Sequence, residues 1–206
     1  MTMRHVFASV RRASKRVSGP ALAILLTACV VSSPRPLTPL SESRLDAGIL
    51  GTWMWNGTNE IVFVHIGRGQ IENEFTILTV ERGNEDTLKT ESYTGHVSKI
   101  GDKRYLNIKW KDCGRNDCGY LFVRYKYKGP DQLSFSTMDP DEARRAVRSG
   151  KIAGRVLGEK WNHEVILDDS AERLRRFISS NDEKLFHDFK DLTRITPARH
   201  PPGQGA

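Results

Sequence analysis

Gly51-Thr52-Trp53-Met54-Trp55-Asn56-Gly57-Thr58-Asn59-Glu60-Ile61-Val62-Phe63-Val64-His65-Ile66-Gly67-Arg68-Gly69 holds two short runs of β-branched and aromatic residues, each followed by a glycine-containing break. Thr52 to Trp55 predicts one strand and Glu60 to Ile66 a second, with Ile61, Phe63 and His65 sharing one side because side chains alternate faces along a strand. Asn56-Gly57-Thr58 and Gly67-Arg68-Gly69 carry the residues that tight turns require. A glycine pair with no helix pattern behind it is hairpin punctuation and does not make a nucleotide loop.

The same rhythm continues outward. Phe75 to Glu81, Leu88 to Ile100, Arg104 to Trp110, Tyr120 to Tyr127 and Gln132 to Thr137 all predict strands, with Gly101-Asp102 and Gly129-Pro130-Asp131 as turns between neighbours. Evenly spaced short strands of this kind form an antiparallel meander that curls into a barrel or sandwich. The period changes after Asp139-Pro140, a helix start with proline at the first helical position, followed by the apolar stripe Ala143, Ala146 and Val147 up to Gly150. A glycine-rich connection leads to a strand at Trp161 to Leu167. Asp169 with Glu172 then forms a capping-box pattern ahead of a helix that carries Leu174, Phe177 and Ile178 on one face. Leu185, Phe186 and Phe189 suggest a short further helix, and both stripes are expected to pack against the sheet or the barrel mouth. The chain is thus predicted to be mainly β with C-terminal helices, an α+β arrangement.

Gly51-Thr52-Trp53, at the head of the first strand, resembles the GxW signature of the lipocalins and their wider barrel relatives. The resemblance implies an open or closed antiparallel barrel around a cavity able to hold a small apolar ligand. It also implies that Trp53 closes the barrel base beneath an arginine from a late strand, for which Arg124 is the candidate. Trp53, Trp55, Phe63 and Tyr93 are the expected pocket residues.

The start of the chain has a different character. Met1 to Pro20 contains Arg4, Arg11, Arg12, Lys15 and Arg16 with no acidic residue, and Ala21 to Ala28 is almost wholly apolar, the charged-then-apolar order of an export signal. An apolar run this short cannot cross a bilayer core that needs about 20 residues. Leu26-Thr27-Ala28-Cys29 resembles the lipobox of bacterial lipoproteins, which implies cleavage between Ala28 and Cys29, lipidation of the Cys29 thiol and a membrane anchor. Val30 follows the cysteine, where lipoproteins kept at the inner membrane often carry Asp, so the expected location is the outer membrane, facing the periplasm. Residues 1–28 are then the leader, 29–48 a lipidated cysteine with a flexible tether, 49–195 one β-rich domain and 196–206 a disordered tail. Pro34, Pro36 and Pro39 exclude regular structure from the tether, which at about 3.1 Å per residue could hold the domain about 55 Å from the bilayer.

The export signal changes the meaning of the charge. Of 32 Lys+Arg against 25 Asp+Glu, five basic residues and no acidic one lie in the leader, so the formal net charge falls from +7 to +2 in the mature chain. That balance gives little support for a nucleic-acid partner. Three cysteines are an odd number for an exported chain. Lipidation of Cys29 leaves Cys113 and Cys118 in a turn-rich loop, and an oxidising compartment favours a disulfide between them. Zinc would require a second thiol pair or a nearby histidine pair, and neither is present in that stretch. His65, His96, His163, His187 and His200 have no His or Cys partner at metal-ligand spacing, and no GxSxG element occurs. Neither metal, cofactor nor catalytic residue is therefore expected.

These readings converge on a non-enzymatic, membrane-anchored lipoprotein that binds an apolar small molecule, a lipid or an envelope protein. The alternative is a structural or assembly lipoprotein that docks an envelope complex through its surface. Replacing Cys29 with Ser should abolish incorporation of radiolabelled palmitate; labelling that persists would overturn the lipobox reading.

Overall fold

The computed structural model describes residues 30–57, 60–82, 87–110, 119–159 and 162–195. The leader, Cys29, Cys113, Cys118 and the tail 196–206 lie outside the described residues. A two-residue strand β1 (Val31–Ser32) precedes the meander β2 (Gly51–Asn56), β3 (Ile61–Arg68), β4 (Glu74–Arg82), β5 (Leu88–Ile100), β6 (Lys103–Trp110), β7 (Leu121–Gly129) and β8 (Gln132–Thr137). Helix α1 (Pro140–Arg148), the hairpin β9 (Gly154–Glu159) and β10 (Asn162–Leu167), helix α2 (Ala171–Leu185) and a last strand β11 (Lys190–Arg194) follow.

Strands β2 to β8 pair in chain order, each antiparallel to the next, and β11 fits between β8 and β2 to close an eight-stranded barrel. The register opposes Trp53 to Val64 and Ile66 to Ile77, so every second side chain along these strands points inward. Trp53, Phe75, Val97, Leu106, Val123 and Leu133 are among the buried residues of this inner core. Gly95 has a specific task there. A Cβ at this position would lie 2.2 Å from the Asn107 carbonyl oxygen and 2.9 Å from the Phe75 ring, so its absence lets β5 pass close to both.

A second core lies outside the barrel wall. Tyr105 and Phe122, which face outward from β6 and β7, are buried with Leu37, Leu174, Ile178 and Phe186. Both helices contribute to this outer core, and the small sheet β1-β10-β9 adds Val31, Val165 and Leu167. The helices therefore pack against the side of the barrel, and their stripes do not simply cap its mouth. The connection expected after Gly150 contains β9. The expected short helix at Leu185 to Phe189 is absent, since α2 ends at Leu185 and the chain turns into β11. The N-cap of α2 is Ser170, whose Oγ accepts from the Arg173 amide at 3.2 Å; Asp169 instead accepts from the Ala153 and Ser170 amides. Asp139 caps α1 as its sequence predicts, accepting from the Glu142 amide at 2.8 Å.

The segment expected to be a flexible tether is fastened to the wall. Leu37 donates its amide to Asn107 Oδ1 at 2.8 Å, and His96 Nε2 lies 2.7 Å from the Thr38 carbonyl oxygen. Ser43 Oγ donates to the Val97 carbonyl at 2.8 Å, and Arg175 Nη1 reaches the Leu37 carbonyl at 2.9 Å. Contrary to expectation, the prolines do not exclude regular structure: Val31–Ser32 pairs with β10 and Leu40–Glu42 forms a 3-10 turn after Pro39, while side chains of β5 and β6 satisfy polar groups of the extended strap between them. Burial lowers the affinity of His96 for a proton, which keeps the ring neutral beneath the strap.

One buried carboxylate ties α2 to the barrel. Asp182, 1% exposed, accepts from Lys103 Nζ at 2.7 Å and from the Tyr105 hydroxyl at 2.5 Å, and pairs with Arg124. Burial first, and then Asp182, push the Tyr105 hydroxyl pKa well above its ordinary value, so it remains a donor. Removing the carboxylate leaves the buried Tyr105 hydroxyl without its acceptor and leaves Lys103 and Arg124, both partly exposed, with Glu183 in place of the buried Asp182. Asp182→Ala should lower the unfolding free energy by about 3 kcal/mol in denaturant titration; a loss below about 1 kcal/mol would mean that the network contributes no more than a surface pair.

Candidate ligand cavity

The barrel interior is not completely filled. A cavity of about 330 Å³ runs through it, lined mainly by apolar side chains that include Val64, Ile77, Leu106, Ile108, Val123 and Leu133. Alternation along the strands produces this lining, because the same inward positions that build the core also surround the void.

One end of the barrel is sealed by Trp53. Its indole Nε1 donates to the Ile49 carbonyl at 2.8 Å, and the Arg194 guanidinium lies 4.1 Å from the ring centroid. Arg194 is itself fixed by donation to the Leu50 and Gly48 carbonyls, both at 2.6 Å, and by Asp131 at 3.4 Å. Gly51 has φ of 129°, and a Cβ there would meet Arg194 Nη1 at 2.6 Å. Glycine is required twice over, by the backbone and by the arginine that passes it. The arginine at the base is thus Arg194 of the last strand. Arg124 faces the opposite way, because Val123 and Tyr125 on either side of it point inward, and it serves the Asp182 network outside. Tyr125 lines the cavity with its ring while its hydroxyl donates to Asp46 Oδ2 at 2.9 Å. Burial and the Asp46 carboxylate raise its pKa, so it remains protonated.

The other end meets solvent. Met138, Asp139 and Pro140 at the start of α1, with the exposed His187 and Asp188, form part of the lining, as do Val30 and Val31 of the strap. His187 Nε2 stands 3.4 Å from Asp139 Oδ2. On the far wall, Thr79 and Tyr93 are the polar lining residues, and the Tyr93 hydroxyl donates to Glu91. The next inward residue on β4 is Glu81, which is 5% exposed.

Of the residues expected in the pocket, Tyr93 lines the cavity. Trp53 is wholly buried at the base, and Trp55 sits opposite Val62 and packs against the inner core. Phe63 is outside: it shares a face with Ile61 and His65, as expected, but that face is the outer one, and Phe63 is 41% exposed. Val62, Val64 and Ile66 occupy the inner face. Counting alternate positions from a buried Trp53 across the hairpin identifies them; the apolar character of β3 alone does not, since both of its faces carry apolar residues.

Among the described residues, no group of three His, Cys, Asp or Glu side chains is placed to hold a metal ion. Comparison with protein-family models, curated proteins and solved structures gives no match. The geometry of the cavity must therefore carry the functional argument. Replacing Arg194 with Ala should cost about 2 kcal/mol of stability through lost stacking and forked hydrogen bonds. Arg194→Lys should recover less than half of this, since an ammonium cannot donate as a planar fork; equal stability of the lysine variant and the native chain would refute that role.

Proposed function

We propose that this chain is a bacterial envelope lipoprotein whose barrel binds an apolar small molecule or a lipid. The observation that carries the binding reading is the apolar cavity of about 330 Å³ in a barrel sealed at one end by Trp53 and open near Asp139 and His187. That volume is at the small end of the range for ligand pockets. Transfer of apolar surface from water into such a space supplies about 25 cal/mol per Å².

The strap supports a connection between anchor and cavity. Cys29, the proposed lipidation site, directly precedes Val30, which lines the cavity, and the chain is fastened from Val31 onward, first to β10 and then at Ser33 to Tyr120 beside β7. A lipid on Cys29 would hold the open end of the barrel close to the membrane surface, in place of a stand-off of about 55 Å. By the Val30 criterion that membrane is the outer one. A second reading has its own support: Ile61, Phe63 and Leu78 are exposed on the outer faces of β3 and β4, an apolar area suited to docking an envelope partner.

Binding is tested with N-phenyl-1-naphthylamine, an uncharged fluorophore, and the Cys29→Ser protein produced without its leader. Saturable binding with one site per chain is expected, and Leu106→Trp, which fills the cavity, should weaken it by about tenfold or more. Absence of saturable binding, or equal affinity of the filled variant, would overturn the cavity reading. Retained crosslinking to an envelope protein, lost on Phe63→Asp, would then favour the docking surface.

A further inference from the structure

Two buried side-chain oxygens have no hydrogen-bond partner among the described residues, the Tyr127 hydroxyl towards the base and Glu81 Oε1 towards the opposite end. At the base Arg194 is held by Asp131 and two carbonyls, Asp46 by Tyr125 and Arg104, and the buried Tyr127 hydroxyl lies in the field of the Asp46 carboxylate. At the opposite end, on the wall formed by β4 and β5, Glu81 is 5% exposed and its Oε1 has no hydrogen-bond partner among the described residues.

Register places this carboxylate. Glu81 lies opposite Val62 on β3 and Lys89 on β5, on the inward row that runs through Ile77 and Thr79. Glu91 lies opposite Thr79 on the same inward row of β5 as Tyr93, and Tyr93 donates its hydroxyl to Glu91. The next residues beyond the cavity lining on these two strands are therefore both carboxylates. Lys89 is already engaged, with its Nζ 2.9 Å from Glu91 Oε1. Glu60, at the start of β3, adds another negative charge that acts on Glu81. Among the described residues the charges that act on Glu81 are Glu60 and Glu91, which repel it, and Lys89, which attracts it.

A buried acceptor without a donor is costly unless something supplies one. We propose that the cavity selects an amphiphile with a cationic amine at one end, its apolar body lying against Ile77, Leu106 and Ile108 and its ammonium group donating to Glu81 beside Glu91. This deepens the proposed binding function and rests on it. The charge-assisted bond would satisfy Oε1 and cancel part of the local negative charge. Burial, with Glu60 and Glu91, raises the pKa of Glu81, so the unoccupied site takes up a proton more readily than an ordinary glutamate does. An alkylammonium replaces that proton. Affinity for the amine should therefore be greatest at neutral to basic pH and fall as Glu81 becomes protonated.

Isothermal titration of the Cys29→Ser protein with decylamine, decanol and decanoate tests this. The amine should bind about tenfold more tightly than the alcohol, and decanoate more weakly than either. In Glu81→Gln the ratio of amine to alcohol affinity should approach one, and in the native sequence it should fall on going from about pH 8 to about pH 5. Equal binding of amine and alcohol to the native sequence would overturn the cationic selection and leave the apolar cavity standing. Binding of none of the three would overturn the cavity reading itself. If Glu81→Gln fails to fold, Glu91→Gln and the pH series on the native sequence decide: an unchanged ratio in both refutes the proposal.

Discussion

Closure of the barrel depends on five residues at the far end of the chain. The meander β2 to β8 has two free edges, and a curled sheet with free edges encloses nothing. Lys190–Arg194 supplies the missing strand, pairing with β8 through Leu192 opposite Leu133 and with β2 through Arg194 opposite Trp53. The last residue of that strand is also the arginine that lies on the base tryptophan. Backbone closure and the sealing of the base are thus one event.

Bringing β11 back requires the chain to leave the barrel after Thr137 and return at Lys190, and loop closure over that distance has an entropic cost. The outer core offsets it. Helix α2 lies against Tyr105 and Phe122, and Asp182 binds Lys103, Tyr105 and Arg124, which belong to strands already in place. The excursion is therefore folded on the barrel's own wall and delivers β11 to its slot. The strap Val30–Ser43 extends the same covering across β5 and β6 through Asn107, Ser98 and His96. Among the described residues no such cover lies on the outer faces of β3 and β4, where Ile61, Phe63 and Leu78 are exposed.

The parts of this architecture legible in the sequence are those where one face alternates with another. The seven meander strands stand out because short runs rich in β-branched and aromatic residues, most of them alternating at period two, are separated by turns that contain Gly, Pro or Asp. Asp139-Pro140 is legible because a cap and an N1 proline are local devices. By contrast, β11 reads Lys-Asp-Leu-Thr-Arg, with a single apolar residue, and its strand character comes from two neighbours distant in sequence. The strap was illegible for a related reason: its Ser/Pro composition is that of a linker, and its order comes from side chains on β5 and β6. Gly51-Thr52-Trp53 marked the base correctly, yet the choice between Arg124 and Arg194 needed the inward or outward sense of β7. Phe63 failed on the same point, because a strand apolar on both faces does not reveal which face is inside.

The asymmetry of the cavity follows from how its two ends are made. The base is formed where the first and last strands of the barrel meet, and Arg194 and Asp46 there are held by carbonyls, Asp131 and the Tyr125 hydroxyl. The opposite end is formed where strands run out into connections and where no closure must be secured. Glu81 lies there, buried, with an oxygen unmatched among the described residues. A buried polar group that does not hold the fold together is a candidate for holding something else. For a ligand of the proposed kind, the floor of Trp53 and the apolar wall would receive the apolar end and the carboxylates would hold the charged end near the opening.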